Sequence, residues 1–201
     1  MPHKLGILLS GRGSNFLAIA ESCRAGRIDA EIAIVISNRA DAPGIVRAQE
    51  MGLEARVIPS RGRAREEHDA EVVAALKEKQ VELVCLAGYM RLLSPEFVRA
   101  FPNRILNIHP SLLPAFPGLD AQKQAFEYGV KVSGCTVHLV DEHLDHGPIV
   151  VQRTVPVLDT DDEHALAERI LEQEHIAYTE AIGIMLSGAV EVKERRVVRK
   201  A

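Results

Sequence analysis

Asn107, Ile108 and His109 lie in sequence just before Pro110. In an extended chain successive side chains face opposite ways. Leu106 and Ile108 then share one face, and Asn107 and His109 share the other. Two polar side chains on one face of a buried strand are costly unless they have partners. An amide donor beside an imidazole could bind a developing oxyanion, and the imidazole could also move a proton. The bland alternative is a core pair hydrogen-bonded to the next loop. The companion Asn107, the strand-end position and the stop at Pro110 favour chemistry.

A second polar cluster follows: Asp141, Glu142, His143, Asp145 and His146 fall within one short loop, ended by Gly147-Pro148. One of its carboxylates is expected to reach His109, orient the ring and complement a positive charge on it. A metal site built from His143, His146 and a carboxylate is the weaker reading, because the spacing is loose and the segment is a loop. No metal is expected to be needed. For Asp141, Glu142 and His143 a solvated acidic turn is the competing reading.

Ser10-Gly11-Arg12-Gly13-Ser14-Asn15 separates the first apolar run from the first helical pattern. Such a turn leaves unpaired N–H groups at a helix start, where an anion can approach glycine backbone closely. A phosphate at Gly13, Ser14 and Asn15 is the sharp expectation, and a ligand-free tight turn the plain one. Phe16 stands where the dinucleotide fingerprint has its third glycine, and no Gly-Lys-Ser/Thr follows. Glu174 lies on the apolar stripe Leu166, Ile170, Ala177, Ala181, Ile184, where a carboxylate needs a cationic or donor partner. A substrate amine would serve. So would an internal ion pair, for instance to Arg47 or Lys123.

These residues need a scaffold. Short apolar runs at Leu5–Leu9, Glu31–Ser37, Arg56–Pro59, Leu83–Ala87 and Arg104–His109 alternate with helical patterns at 15–24, 43–51, 65–79 and 95–100. That alternation predicts an open parallel sheet with helices on both faces, a Rossmann-like α/β fold. A helix at 121–129, two β-rich runs at 134–140 and 149–155, a helix from a capping box at Thr160 and Glu163 to about Leu186, and an edge hairpin in 190–199 complete the chain. The two β-rich runs are expected to pair antiparallel. One domain is expected, with a phosphate-binding parallel half over 1–109 and a second half over 110–201.

Composition agrees with this. The 201 residues are 47% hydrophobic but only 4% aromatic, which suits a core of Val, Ile, Leu and Ala. The formal net charge of -4 argues against nucleic acid as a partner. Three scattered cysteines, Cys23, Cys85 and Cys135, make no disulfide framework. The early glycines interrupt any signal-peptide pattern, and no apolar run approaches the roughly 20 residues that span a bilayer. A cytoplasmic protein that binds no membrane is expected.

The segment Asn107-Ile108-His109-Pro110-Ser111-Leu112-Leu113-Pro114 resembles the central motif of the folate-dependent formyltransferases. Ser10–Asn15, Leu86–Pro95 and Gln173-Glu174-His175 are similar to the glycinamide ribonucleotide formyltransferase branch, in the same order along nearly the whole chain. The resemblance implies formyl transfer from 10-formyltetrahydrofolate, a cosubstrate, to the amine of glycinamide ribonucleotide. It implies Asn107, His109 and Asp145 as the catalytic trio. It places the phosphate at Gly13, Ser14 and Asn15, the ribose near Gly118 and the glycinamide end at Glu174. Arg65, Met90, Arg91, Leu92, Leu93, Asn107, Val140, Asp141, Glu142, His143 and Leu144 would line the folate cleft. The chain departs from the pattern at Arg12, Asp120 and His146, none of them a catalytic position.

Two relatives of that branch are weaker fits. Formyltetrahydrofolate deformylases usually carry an N-terminal regulatory domain, and methionyl-tRNA formyltransferases a further C-terminal one. A non-catalytic sugar-phosphate or folate binding protein is disfavoured by the complete trio. The expected assembly is a monomer or weak homodimer acting on small molecules.

Overall fold

The computed structural model describes residues 1–200. The chain forms two compact units, Met1–Leu106 and the part from Asn107 onward. The sequence pattern placed the change of character at 109/110. The chain passes from one unit to the other between Leu106 and Asn107, inside a strand.

In the first unit, β1 (His3–Leu9), α1 (Ser14–Arg24), β2 (Ala30–Ser37), α2 (Pro43–Glu50), β3 (Ala55–Val57), α3 (Arg65–Glu78), β4 (Leu83–Leu86) and α4 (Pro95–Ala100) follow in turn, and β5 (Ile105–His109) begins. The sheet runs β3-β2-β1-β4, with Ile7 beside Val35 on one side and Cys85 on the other. These three pairings are all parallel. Leu5, Ile7, Leu8 and Leu9 are fully buried. Each is worth roughly 1.5–3 kcal/mol relative to exposure. That is why β1 reads as a continuous apolar run rather than an alternating one. After β1 the chain moves to β2 and β3 on one side, then returns to β4 on the other. The crevice beyond the carboxyl ends of β1 and β4 is thus a switch point, where open parallel sheets bind ligands.

The second unit holds the end of β5, then α5 (Ala121–Tyr128), β6 (Val132–Leu139), β7 (Ile149–Pro156), α6 (Glu163–Leu186), β8 (Val190–Lys193) and β9 (Arg196–Arg199). β6 and β7 pair antiparallel from Val132↔Pro156 onward, as expected, with an irregularity at Val137/His138. β9 lies parallel beside β7 at Ile149↔Arg196, and β8 closes a hairpin on its far side. In α6, Leu166, Ile170, Ala177 and Ala181 are fully buried, which makes the apolar stripe a core face.

The architecture is the mixed α/β fold predicted from the alternation, mostly parallel with an antiparallel C-terminal extension. Most boundaries shift by one or two residues. One local reading is corrected. α6 begins at Glu163, and its N-cap is Asp162, whose carboxylate accepts from the Ala165 N–H at 2.7 Å; Thr160 does not cap it. Among the described residues no helix is long and apolar enough to cross a membrane.

Candidate active site

The second unit carries the polar strand end. His109 is 4% exposed, and its Nδ1 stands 3.3 Å from Asp145 Oδ2. Its Nε2 lies 2.8 Å from the Phe116 carbonyl oxygen, to which it can only donate. Both ring nitrogens therefore face acceptors. Asp145 sits at φ 49° at the end of the 140–145 loop, and it also accepts the Gly118 N–H at 2.8 Å. So the carboxylate expected to reach His109 is Asp145. Gly118, placed beside the ribose by resemblance, is tied to that carboxylate.

His138 on β6 was not singled out from the sequence. Its ring is buried, and burial lowers its pKa below the usual histidine range. Its Nδ1 is 2.8 Å from the Leu139 carbonyl oxygen and must carry the proton, which leaves Nε2 as an acceptor. Asn107 Nδ2 lies 3.2 Å from that Nε2. A neutral His138 thus fixes the Asn107 amide with its NH2 toward the ring and its second N–H free to serve another acceptor. The signal in the sequence was a histidine inside an otherwise apolar strand, two residues from Thr136. Thr136 does similar work. Its hydroxyl donates to Ser111 O at 2.7 Å and accepts the Leu113 N–H at 3.0 Å, while Gln152 donates to Leu113 O at 2.9 Å. These bonds hold the loop after His109.

The other loop residues part company with Asp145. Asp141 turns to His146 Nδ1 at 2.8 Å and accepts the His143 N–H at 2.8 Å. Glu142, His143 and Leu144 are exposed, and Val140 is half-buried. Glu174 is 6% exposed on the core face of α6. Burial, then the Glu174 carboxylate, push the Cys135 thiol up to about 12. Ser111 donates its hydroxyl to Ala115 O, so neither side chain has a base to make it a nucleophile. His175 is pulled below its usual pKa by burial, and its Nε2 is a buried atom with no hydrogen-bond partner.

The first unit contributes the ends of β1 and β4. Gly13 is the N-cap of α1 at φ 74°, and no side chain caps that helix. A Cβ there would come 3.3 Å from Gly44 Cα, Leu9 and Phe16, so the position requires glycine on both counts. The Ser14 and Asn15 N–H groups stand at the positive end of the helix dipole. Beyond β4, Met90 is 69% and Leu92 54% exposed, while Leu93 is half-buried. Arg91 has a buried Nε with no hydrogen-bond partner. The segment is pinned from both ends. Ser10 Oγ accepts the Met90 N–H at 2.8 Å and donates to Asn38 Oδ1, and the buried Asp69 accepts the Ser94 N–H at 2.6 Å. Exposed apolar side chains on a braced backbone suit a ligand wall. Arg65 opens α3 and lies beside Glu66 at 3.3 Å, exposed.

An amide, an imidazole and a carboxylate gathered at a strand end of an α/β sheet are the groups that an enzyme of the α/β class can turn on a developing oxyanion. The comparisons sharpen this. The family model described as formyl transferase matches residues 3–182. The chain belongs to the formyl transferase family. It is 40% identical over 189 residues to phosphoribosylglycinamide formyltransferase of Escherichia coli (strain K12), covering 94% of this chain and 89% of that one. It is 48% identical over 190 residues to the trifunctional purine biosynthetic protein adenosine-3 of Drosophila pseudoobscura pseudoobscura, of which it spans only 14% of the length. The crystal structure of glycinamide ribonucleotide transformylase 1 from Symbiobacterium toebii superposes with a TM-score of 0.96 at 50% identity, covering all of this chain and 95% of that one.

Proposed function

We propose that this chain transfers the formyl group of 10-formyltetrahydrofolate to the amine of glycinamide ribonucleotide, giving formylglycinamide ribonucleotide and tetrahydrofolate. The observation that carries the reading is the polar set at the end of β5: Asn107 oriented by a hydrogen bond to neutral His138, and His109 beside the Asp145 carboxylate.

The amine lone pair attacks the formyl carbon, and a tetrahedral oxyanion forms. The free Asn107 N–H binds that oxygen, and a positive His109 ring, its two nitrogens engaged by Asp145 and the Phe116 carbonyl, stabilises it through its charge. Asp145 holds the positive ring in place. As the carbon–N10 bond breaks, the proton lost by the amine is taken up by the departing nitrogen, with a water as carrier. No acyl-enzyme is required, since neither Ser111 nor Cys135 is activated.

The remaining roles follow the residues. Gly13, Ser14 and Asn15 offer backbone N–H groups to the ribonucleotide phosphate. Gly118 serves the ribose, and the buried Glu174 receives the glycinamide end. Arg65, Met90, Arg91, Leu92, Leu93, Asn107, Val140, Asp141, Glu142, His143 and Leu144 bind the folate. The exposed Met90 and Leu92 and the partnerless Arg91 Nε support this part. We assign the activity to one formyltransferase domain spanning both compact units, working in the cytoplasm as a monomer or weak homodimer on small molecules alone.

The test is consumption of 10-formyltetrahydrofolate with and without glycinamide ribonucleotide, on wild type and on His109→Ala. Amine-dependent consumption lost in the variant is the expected result. Consumption without the amine would make the protein a hydrolase instead, and none under either condition would leave a binding protein.

A further inference from the structure

The geometry points to a binding site for one divalent transition-metal ion of the Zn2+, Ni2+ or Cu2+ class, formed by Asp141, His143 and His146. The ligand atoms of these three side chains already lie within 4.8 Å of one another. Asp141 Oδ2 is 2.8 Å from His146 Nδ1, and Asp141 Oδ1 is 3.9 Å from His143 Nδ1. The two imidazole rings stand 5.2 Å apart, centroid to centroid. In a tetrahedral zinc site with bonds near 2.0–2.1 Å, ligand atoms are about 3.3 Å apart. The adjustment needed is a turn of exposed side chains, since His143 is 76% and His146 52% exposed.

The backbone is already arranged for this. The His143 N–H donates to Asp141 Oδ1 and holds the carboxylate over its own turn. Two imidazoles and one carboxylate form a donor set for borderline metals, whereas Mg2+ and Ca2+ take oxygen. None of the three belongs to the set around His109.

One group opposes the ion. Arg195, in the turn between β8 and β9, places Nη1 2.8 Å from His146 Nε2 and 3.1 Å from its Nδ1, and donates through Nη2 to the His146 carbonyl at 2.7 Å. An ion on Nδ1 of a neutral His146 moves the ring proton to Nε2. That nitrogen then no longer accepts from the guanidinium, and two positive centres face each other. Arg195 and the ion thus compete for His146.

The experiment is calorimetric titration of the intact protein with Zn2+ alone, in a non-chelating buffer near pH 7.5, with Mg2+ as control. Wild type should bind zinc at a site that His143→Ala and His146→Ala each weaken by at least about tenfold, the loss of one of three ligands. Arg195→Gln should bind several-fold more tightly than wild type, and Mg2+ should give no heat. Far-UV circular dichroism checks that each variant is folded. Zinc binding of equal strength in wild type and both histidine variants would place the ion elsewhere and overturn the assignment. No binding by wild type, or weaker binding by Arg195→Gln, would overturn it too. Heat of binding does not depend on formyl transfer, so this outcome stands apart from the functional reading.

Discussion

Replacing Asp145 by Asn removes one charge and almost nothing else. The side chain is isosteric and keeps an oxygen for the Gly118 N–H, which Asp145 accepts at 2.8 Å. What it loses is the attraction between the carboxylate and His109 Nδ1 at 3.3 Å. Two unit charges at that separation interact by about 1 kcal/mol in bulk water and about 5 kcal/mol at an effective dielectric of 20. The side chains are 6% and 7% exposed, so the drier figure applies better. Rearrangement and the retained hydrogen bond offset part of it. A loss of about 3 kcal/mol in the transition state is expected, roughly a hundredfold in kcat. The assay is steady-state formyl transfer with both substrates saturating near pH 7.5. The KM for glycinamide ribonucleotide should stay within a few-fold of wild type, because the charge matters when the oxyanion forms. A kcat within threefold of wild type would refute the reasoning, as would a defect confined to KM. Unfolding by denaturant should show the variant folded, which separates lost chemistry from lost structure.

His138 predicts a pH effect on stability. Its folded pKa is lowered, chiefly by burial, so the unfolded chain takes up a proton near the ordinary pKa of about 6.5 before the folded chain does. Its contribution is complete above that value and declines as pH falls below it. Denaturant unfolding at pH 7.5 and 5.5 should show a larger drop for wild type than for His138→Gln, and equal drops would contradict the assignment. At Gly147 a Cβ would overlap the Leu139 carbonyl oxygen and lie 3.3 Å from the Asp141 nitrogen. Gly147→Ala should therefore cost roughly 1–3 kcal/mol in denaturant stability and lower kcat by shifting the loop that carries Asp145; wild-type stability would show that the turn yields freely. At the start of α6, Asp162→Ala should cost about 0.5–2 kcal/mol through loss of the cap, whereas Thr160→Ala should be near neutral. The reverse order in thermal unfolding would restore Thr160 as the cap.

Much of this protein is written locally. The continuous apolar run Leu5–Leu9, the strand–helix alternation and the switch from parallel to antiparallel pattern after residue 130 follow from periodicities that neighbouring residues set among themselves. So does the common face of Asn107 and His109, because side-chain alternation along a strand needs no distant partner. What the chain could not decide alone is which of several similar neighbours takes a given role. The pattern pointed to Thr160 as the cap of the last helix; folding gives Asp161 to Arg169 at 2.7 Å and to the Leu158 N–H, and the cap to Asp162. Asp141, Glu142 and Asp145 all lay close enough in sequence to serve His109, and only the path of the loop turns Asp145 inward and Asp141 toward His146. His138 stayed hidden because its partner Asn107 is 31 residues away, and a histidine's tautomer and charge depend on what folding packs against it. Local pattern sets the elements and the faces they present. Long-range packing selects which polar groups lose water together, and that selection makes the site.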